Sequence, residues 1–139
     1  MNEAAERARL LLAADAYSAL LGIELLDAGD DRAHLSLLLG EQHLNFLGGG
    51  HGGVIFSLAD MAFGLASNSR GVMSIGIDAH MSYIIGSRAG DRLEAIAELV
   101  SRNRRTAVYR VDVRREDEIL ATFTGTVYVT GKPLPDQAP

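Results

Sequence analysis

From Val54 to Ser69 the chain reads VIFSLADMAFGLASNS, and Asp60 is the only side chain in it that carries a charge. A helix that is apolar all round belongs in an interior. A lone carboxylate in such a place is costly unless something compensates. The helix is expected over about Gly52–Ser69, and roughly 16 residues at ~1.5 Å each reach about 24 Å, most of the way across a small domain. Whatever else the chain forms must therefore wrap this helix, and must account for Asp60.

The flanking sequence supplies the wrapping. Glu3–Leu21 has apolar residues at helical spacing (Leu10, Leu11, Ala14, Tyr17, Leu20, Leu21) and ends at Gly22. IELLDAG and RAHLSLLL read as strands joined by a hairpin at Gly29–Asp31. After the central helix come VMSIGIDAHMSYII, DRLEAIAELVSRN, RTAVYRVDVRR and ILATFTGTVYVT. In the last two, Ala107, Tyr109, Val111 and Val113, then Ile119, Ala121, Phe123, Val127 and Val129, alternate with polar residues. That period of two gives one wet and one dry face, as in an antiparallel sheet. REDE at Arg115–Glu118 is the turn between them. One buried helix against one dry sheet face is an α+β arrangement. A single layer does not cover a helix this apolar, so a second subunit is expected over part of it.

Composition narrows the function. The net charge of −5 argues against a general nucleic-acid binder but leaves room for a local basic patch. No cysteine is present, so there is neither a disulfide framework nor a thiol nucleophile. Glu3, Glu6 and Asp15 interrupt the first helix, which does not read as a secretory signal, and no uninterrupted apolar run is long enough to span a membrane. A cytoplasmic location is expected. The tail GKPLPDQAP from Gly131 has linker composition and is expected to fray.

The chemistry concentrates before and within the central helix. NFLGGGHGG reads N-x-x-G-x-x-H-G-G, FSLAD follows, and RRTAVYRV lies downstream. In this the chain resembles the hotdog-fold acyl-CoA thioesterases, most closely the PaaI-like branch of phenylacetic acid degradation, over nearly its whole length. The resemblance implies one hotdog domain over 1–131, with 132–139 as a flexible tail. Its antiparallel sheet of about five to six strands would wrap the long central helix. Asp60 then matches the carboxylate that activates water or attacks the thioester. Gly52 matches the residue whose backbone N–H polarises the thioester carbonyl, and His51 and Asn45 match the polar residues that position Gly52, the thioester and the water. Gly53, with Asn103, Arg104, Arg105 and Thr106, is expected to contact the coenzyme A portion. Phenylacetyl-CoA is the substrate type implied. The partners implied are an acyl-CoA and further copies of the chain, as a dimer with shared sites and a homotetramer. No metal, separate cofactor or nucleic acid is implied.

Physical reasoning agrees with those roles. Thioester hydrolysis builds negative charge on the carbonyl oxygen. Backbone N–H groups at a helix start are unpaired and partly positive, and glycine lets a ligand approach them. A carboxylate in an apolar groove is poorly hydrated, which raises its basicity.

Bland readings stand beside each. Gly48–Gly50 serve either a flexible loop or a shaped one. His51 caps the helix or takes part in the chemistry. His43 is expected to be a plain surface or loop histidine, and a His43–His51 metal pair lacks a third ligand at short spacing. Arg102, Arg104 and Arg105 form either a phosphate grip or a solvated turn. Two departures from the family pattern are visible. YIIGSRAGD has no proline where members often carry one, and Gly76 stands where some place a serine. The rivals are an acyl-CoA-binding module without turnover and a hotdog hydratase. Hydratases pair Asp with a His five residues on, a position held here by Leu65.

Overall fold

The computed structural model describes residues 2–135. Asn2 caps the first helix, its side chain accepting the Ala5 N–H at 2.6 Å. The helix is not continuous to Leu21. It ends as α1 (Glu3–Ala14), Asp15 turns extended, and α2 (Ala16–Leu21) starts anew. The reason is a second cap: the Asp15 carboxylate accepts the Ser18 N–H at 3.0 Å and the Ser18 hydroxyl at 2.6 Å. Apolar spacing runs straight through this break and hides it. Gly22 then closes α2 in the left-handed conformation, at φ 83°.

The strands are β1 (Glu24–Gly29), β2 (Arg32–Leu38), β3 (Val72–Tyr83), β4 (Arg92–Arg102), β5 (Thr106–Arg115) and β6 (Glu118–Pro133). They form one six-stranded sheet in the order β1-β2-β4-β5-β6-β3, with every neighbour antiparallel. This is the expected α+β hotdog architecture. The central helix, α3 (Gly52–Ser67), stops two residues short of the expected end. Asn68 caps it and ties it to β3: its Nδ2 donates to the Ser74 carbonyl, and its Oδ1 accepts the Ser74 N–H at 2.8 Å.

α3 lies on the dry face. Ile55, Leu58, Ala59, Ala62, Phe63 and Ala66 are buried at the three- and four-residue spacing of a helix face. They meet Ala107, Tyr109, Val111 and Val113 of β5, all at 0–1% exposure as the alternation requires. β6 departs from simple alternation. Val113 pairs with Ala121 but Arg114 pairs with Ile119, so Leu120 is an extra residue in a bulge. Leu120 is therefore the buried residue there, and Ile119 is only half-buried, against the sequence reading.

β6 also continues through Lys132 and Pro133, into the stretch expected to fray, and the Leu134 N–H bonds the Gly71 carbonyl. The remainder of that stretch, 136–139, lies outside the described residues. β3 occupies a sheet edge, so one side of its backbone has no strand partner among the described residues. Ile75 and Ile77 on it are more than half exposed.

Candidate active site

The loop before α3 is built residue by residue. A short 3-10 turn at Glu41–His43 brings His43 inside, at 3% exposure. Of the two places expected for His43, surface or loop, the loop is the one found, but the side chain is buried in it. Its Nδ1 accepts the Gly40 N–H at 2.9 Å, and its Nε2 donates to the Leu21 carbonyl at 2.8 Å. Nothing in the local sequence signals this, because one of the two partners comes from the end of α2.

Asn45 shapes the glycine run. Its Oδ1 accepts the N–H groups of Leu47 and Gly49 at 2.9 and 3.2 Å, while its own N–H bonds the Gly49 carbonyl at 2.8 Å. Two of the glycines, Gly48 and Gly50, are required by this path. Gly48 has φ 85°. A Cβ on Gly50 would run into the Ser87 hydroxyl, and the Gly50 N–H donates to the Ser87 carbonyl at 2.9 Å. Of the two readings of Gly48–Gly50, the shaped loop is the one found.

His51 is the N-cap of α3, its Nδ1 accepting the Gly53 N–H at 2.8 Å. That amide is therefore occupied within the chain. The Gly52 N–H has no acceptor among the described residues. It sits at the positive end of α3. The Gly52 carbonyl accepts the Tyr83 hydroxyl at 3.0 Å, which pins the first turn to the end of β3. Sequence reasoning missed Tyr83, since a tyrosine on a strand carries no mark of such a contact. Gly52 and Tyr83 open into a pocket of about 260 Å³, whose apolar lining includes Ile55, Ile84 and Leu120.

Asp60 lies about two turns further along α3. It lines a different pocket, of about 340 Å³, between α1, α3 and the start of β3. Its carboxylate has no hydrogen-bond or ion-pair partner among the described residues. Within the single chain Asp60 is exposed to solvent, against the expectation of a carboxylate buried in an apolar helix, because it lies on the face of α3 turned away from the sheet. Even so, the protein around it thins its hydration enough to raise its pKa above the ordinary aspartate value, and the negative charge of Asp15 raises it further. Within one chain, then, the free amide and the free carboxylate face separate spaces.

The arginine cluster divides. Arg102 turns inward, its Nη2 donating to Asp31 Oδ1 at 3.2 Å and to the Tyr109 hydroxyl at 3.3 Å. Asp31 is buried and also accepts Arg70 Nε at 2.9 Å and the Tyr109 O–H at 2.8 Å. Burial is the main cause that pushes the Tyr109 phenol up to about 12. Arg104 and Arg105 remain exposed, with no ion pair among the described residues. They ride on a turn that Asn103 organises, its Oδ1 accepting the N–H of Arg105, the N–H of Thr106 and the Thr106 hydroxyl at 2.9–3.1 Å. Asn103 and Thr106 thus shape the turn, and the two arginines present charge. No group of three or more His, Asp and Glu side chains suited to a metal ion occurs among the described residues. No helix among them is long and apolar enough to cross a membrane.

Comparison with known proteins agrees with this architecture. Residues 47–122, more than half of the chain, match the family model described as the Thioesterase superfamily. Acyl-coenzyme A thioesterase PaaI of Escherichia coli (strain K12) is 29% identical over 138 residues, covering 99% of each chain. The solved structure of the E. coli PaaI protein superposes with a TM-score of 0.92, covering 96% of this chain and 97% of that one at 28% identity. A mutant form of the phenylacetic acid degradation protein PaaI from Thermus thermophilus is 40% identical, covers 83% of this chain and 99% of its own, and has a TM-score of 0.81. A hypothetical thioesterase protein from Streptococcus pneumoniae TIGR4, solved with coenzyme A, is 27% identical, with a TM-score of 0.76 over 81% of this chain and 91% of that one. The family match and the shared architecture lead to one assignment: the chain belongs to the Thioesterase superfamily, as a hotdog-fold, PaaI-like thioester hydrolase.

Proposed function

We propose that the chain hydrolyses the thioester of a small or aromatic acyl-CoA, of the phenylacetyl-CoA type, to the free acid and coenzyme A. One observation carries this reading. A single helix has an unclaimed N–H at its start, on Gly52, and an unclaimed carboxylate of raised pKa in its middle, on Asp60. A carboxylate of raised pKa beside a pocket, on the helix whose start offers a free N–H, is an arrangement found where chemistry uses it.

In the reaction the thioester carbonyl oxygen accepts the Gly52 N–H, which holds the charge that develops there. Asp60 takes a proton from water as it attacks, or attacks itself and is freed by water in a second step. With Asp60 as base, the C–S bond breaks after water has added, and the proton held by Asp60 passes to the departing thiolate. With Asp60 as nucleophile, the C–S bond breaks as the acyl-aspartyl anhydride forms. Water then hydrolyses that anhydride, its protons going to the thiolate and to solvent. His51 and Asn45 act through the loop they shape, by holding Gly52 in place. Arg104 and Arg105 suit the phosphates of coenzyme A, on the turn kept by Asn103 and Thr106. Gly53 adds a side-chain-free surface beside the substrate. The reading calls for no resident metal or redox cofactor, and it puts the enzyme in the cytoplasm with its substrate. The relatives named for PaaI and the one solved with coenzyme A support the substrate class.

The same reading makes each site shared. Gly52 and Asp60 are eight residues apart, about 12 Å along one helix. A carbonyl held by the Gly52 N–H needs its attacker within roughly 3–3.5 Å of the carbon. Two copies related by a two-fold axis bring the Asp60 of one to the Gly52 of the other. The unpaired edge of β3 and its exposed isoleucines support such a dimer, and a tetramer is a pair of such dimers.

The test is the Asp60→Asn variant on a panel of aryl and straight-chain acyl-CoAs, with released thiol as readout. Turnover should fall on the order of 10²–10⁴-fold or more, with acyl-CoA binding retained. Near-native turnover in the variant would sink the site assignment. Wild-type binding without turnover would favour the acyl-CoA-binding module instead.

A further inference from the structure

Five glycines lie against or within the central helix: Gly52 and Gly53 at its start belong to the site already described, and Gly76 and Gly125 have a packing reason. A Cβ on Gly125 would come within 2.8 Å of the Phe63 ring, and one on Gly76 within 3.1 Å. These two clear the seat of Phe63 on the sheet. Gly64 is different. It sits inside α3, where glycine is the poorest helix former after proline. Its backbone is not in the left-handed region, and a Cβ built on it meets nothing within 4 Å. Neither conformation nor packing within this chain demands glycine there.

The space that Gly64 leaves open belongs to the Asp60 pocket. Gly64 follows Asp60 by four residues, so the two share one face of α3 one turn apart. Both line the same pocket of about 340 Å³, whose walls include Leu11, Met61, Leu65, Met73 and Leu134. The space opens to solvent, and its walls also include Asn68 and Ser74. Its volume exceeds the roughly 150 Å³ that accommodates benzene, so an aryl group or several methylenes fit in it by size. Of its two acidic wall groups, Asp15 and Asp60, the second is where hydrolysis would occur.

We infer that Gly64 is a specificity-determining residue, and that the absence of a side chain there sets how large an acyl group fits beside Asp60. This rests on the proposed acyl-CoA hydrolysis and adds to it the residue that meters the acyl group. A side chain at position 64 projects into the pocket from the helix that carries the carboxylate, so it shortens the space without moving Asp60.

The experiment measures kcat/KM for acetyl-, butyryl-, hexanoyl-, octanoyl- and phenylacetyl-CoA with the wild-type chain, Gly64→Ala and Gly64→Leu. One added or missing methylene in an apolar pocket changes discrimination by roughly 10-fold or more. The octanoyl-to-acetyl ratio should therefore fall about tenfold or more in Gly64→Leu and by less in Gly64→Ala. Phenylacetyl-CoA should follow octanoyl-CoA. Alanine favours the helix, so the smaller variant keeps the test valid if leucine prevents folding. An unmoved profile, or an equal loss on every substrate, overturns the inference while leaving the hydrolase reading in place. So does a changed sedimentation coefficient in Gly64→Ala, which would assign the glycine to a close approach between subunits. A wild-type chain that cleaves no thioester overturns the hydrolase reading and this inference with it.

Discussion

Asp60 works against the fold that carries it. Its pKa is raised by burial and by Asp15, so the native state holds the Asp60 proton more tightly than the unfolded chain does. The native state is favoured while Asp60 is protonated, and this advantage is lost as pH rises through the raised pKa. At neutral pH the ionised group therefore weakens the fold. Asp60→Asn, which should lose activity, should also melt higher at pH 7, on the order of 1–3 °C since the carboxylate keeps some solvent. The gain should fade as the pH is lowered through the pKa of Asp60, which melting curves across pH can follow. A second expectation concerns Asp15. In the proposed mechanism the ionised form of Asp60 is the active one, so the acid limb of kcat/KM should track its pKa. Asp15→Asn keeps the cap on α2, because Asn caps as well as Asp, but removes the negative charge. The limb should move to lower pH, yet only part of the way to the ordinary aspartate range, because burial is the larger cause. A limb that stays put in a pH–rate series would show that Asp15 does not act on Asp60.

At the level of elements, what the sequence makes legible is what repeats or clusters locally. α3 is readable because Asp60 is the lone charge from Val54 to Ser69, and β5 because its alternation is unbroken. Asn45, His51, Gly52 and Asp60 are readable as candidates because they lie in one run, whereas the separation of Gly52 and Asp60 into two pockets of one chain is not visible in that run. The helix break at Asp15 and the bulge at Leu120 are not readable. In each the apolar pattern continues while the backbone takes an extra turn or residue. The inward turn of Arg102 was hidden for another reason: its partner Asp31 is 71 residues away. Among Arg102, Arg104 and Arg105, sequence cannot tell which one a distant carboxylate will claim. The β4–β5 turn is left with Arg104 and Arg105 as its free charges. Replacing both by alanine should raise KM for acyl-CoA several-fold with kcat little changed. The wild-type KM should climb with salt, since exposed contacts are screened with a Debye length of about 8 Å at physiological strength, and the double variant should lose that dependence. A KM indifferent to the substitutions at every salt concentration would reduce the pair to a solvated turn.

For the whole molecule, the decisive geometry is the separation of the Gly52 pocket from the Asp60 pocket. If sites are completed between copies, two dead variants should rescue each other. Asp60→Asn removes the carboxylate, and Gly52→Pro removes the amide at a helix start where proline is tolerated. Hybrids formed by joint refolding hold one intact site and one doubly defective site, so random pairing should return roughly a quarter of wild-type activity. Circular dichroism must show both variants folded. Hybrids that form without activity would refute the shared arrangement. The open edge of β3 carries one more consequence, for the rate law. If that edge must find a second copy before any site exists, catalytic capacity is a property of encounters and not of chains. Well below the dissociation constant of the pair, the reaction velocity should rise with the square of the protein concentration. Measured per milligram, a dilute preparation would look like a poor enzyme, and the same chains concentrated would not.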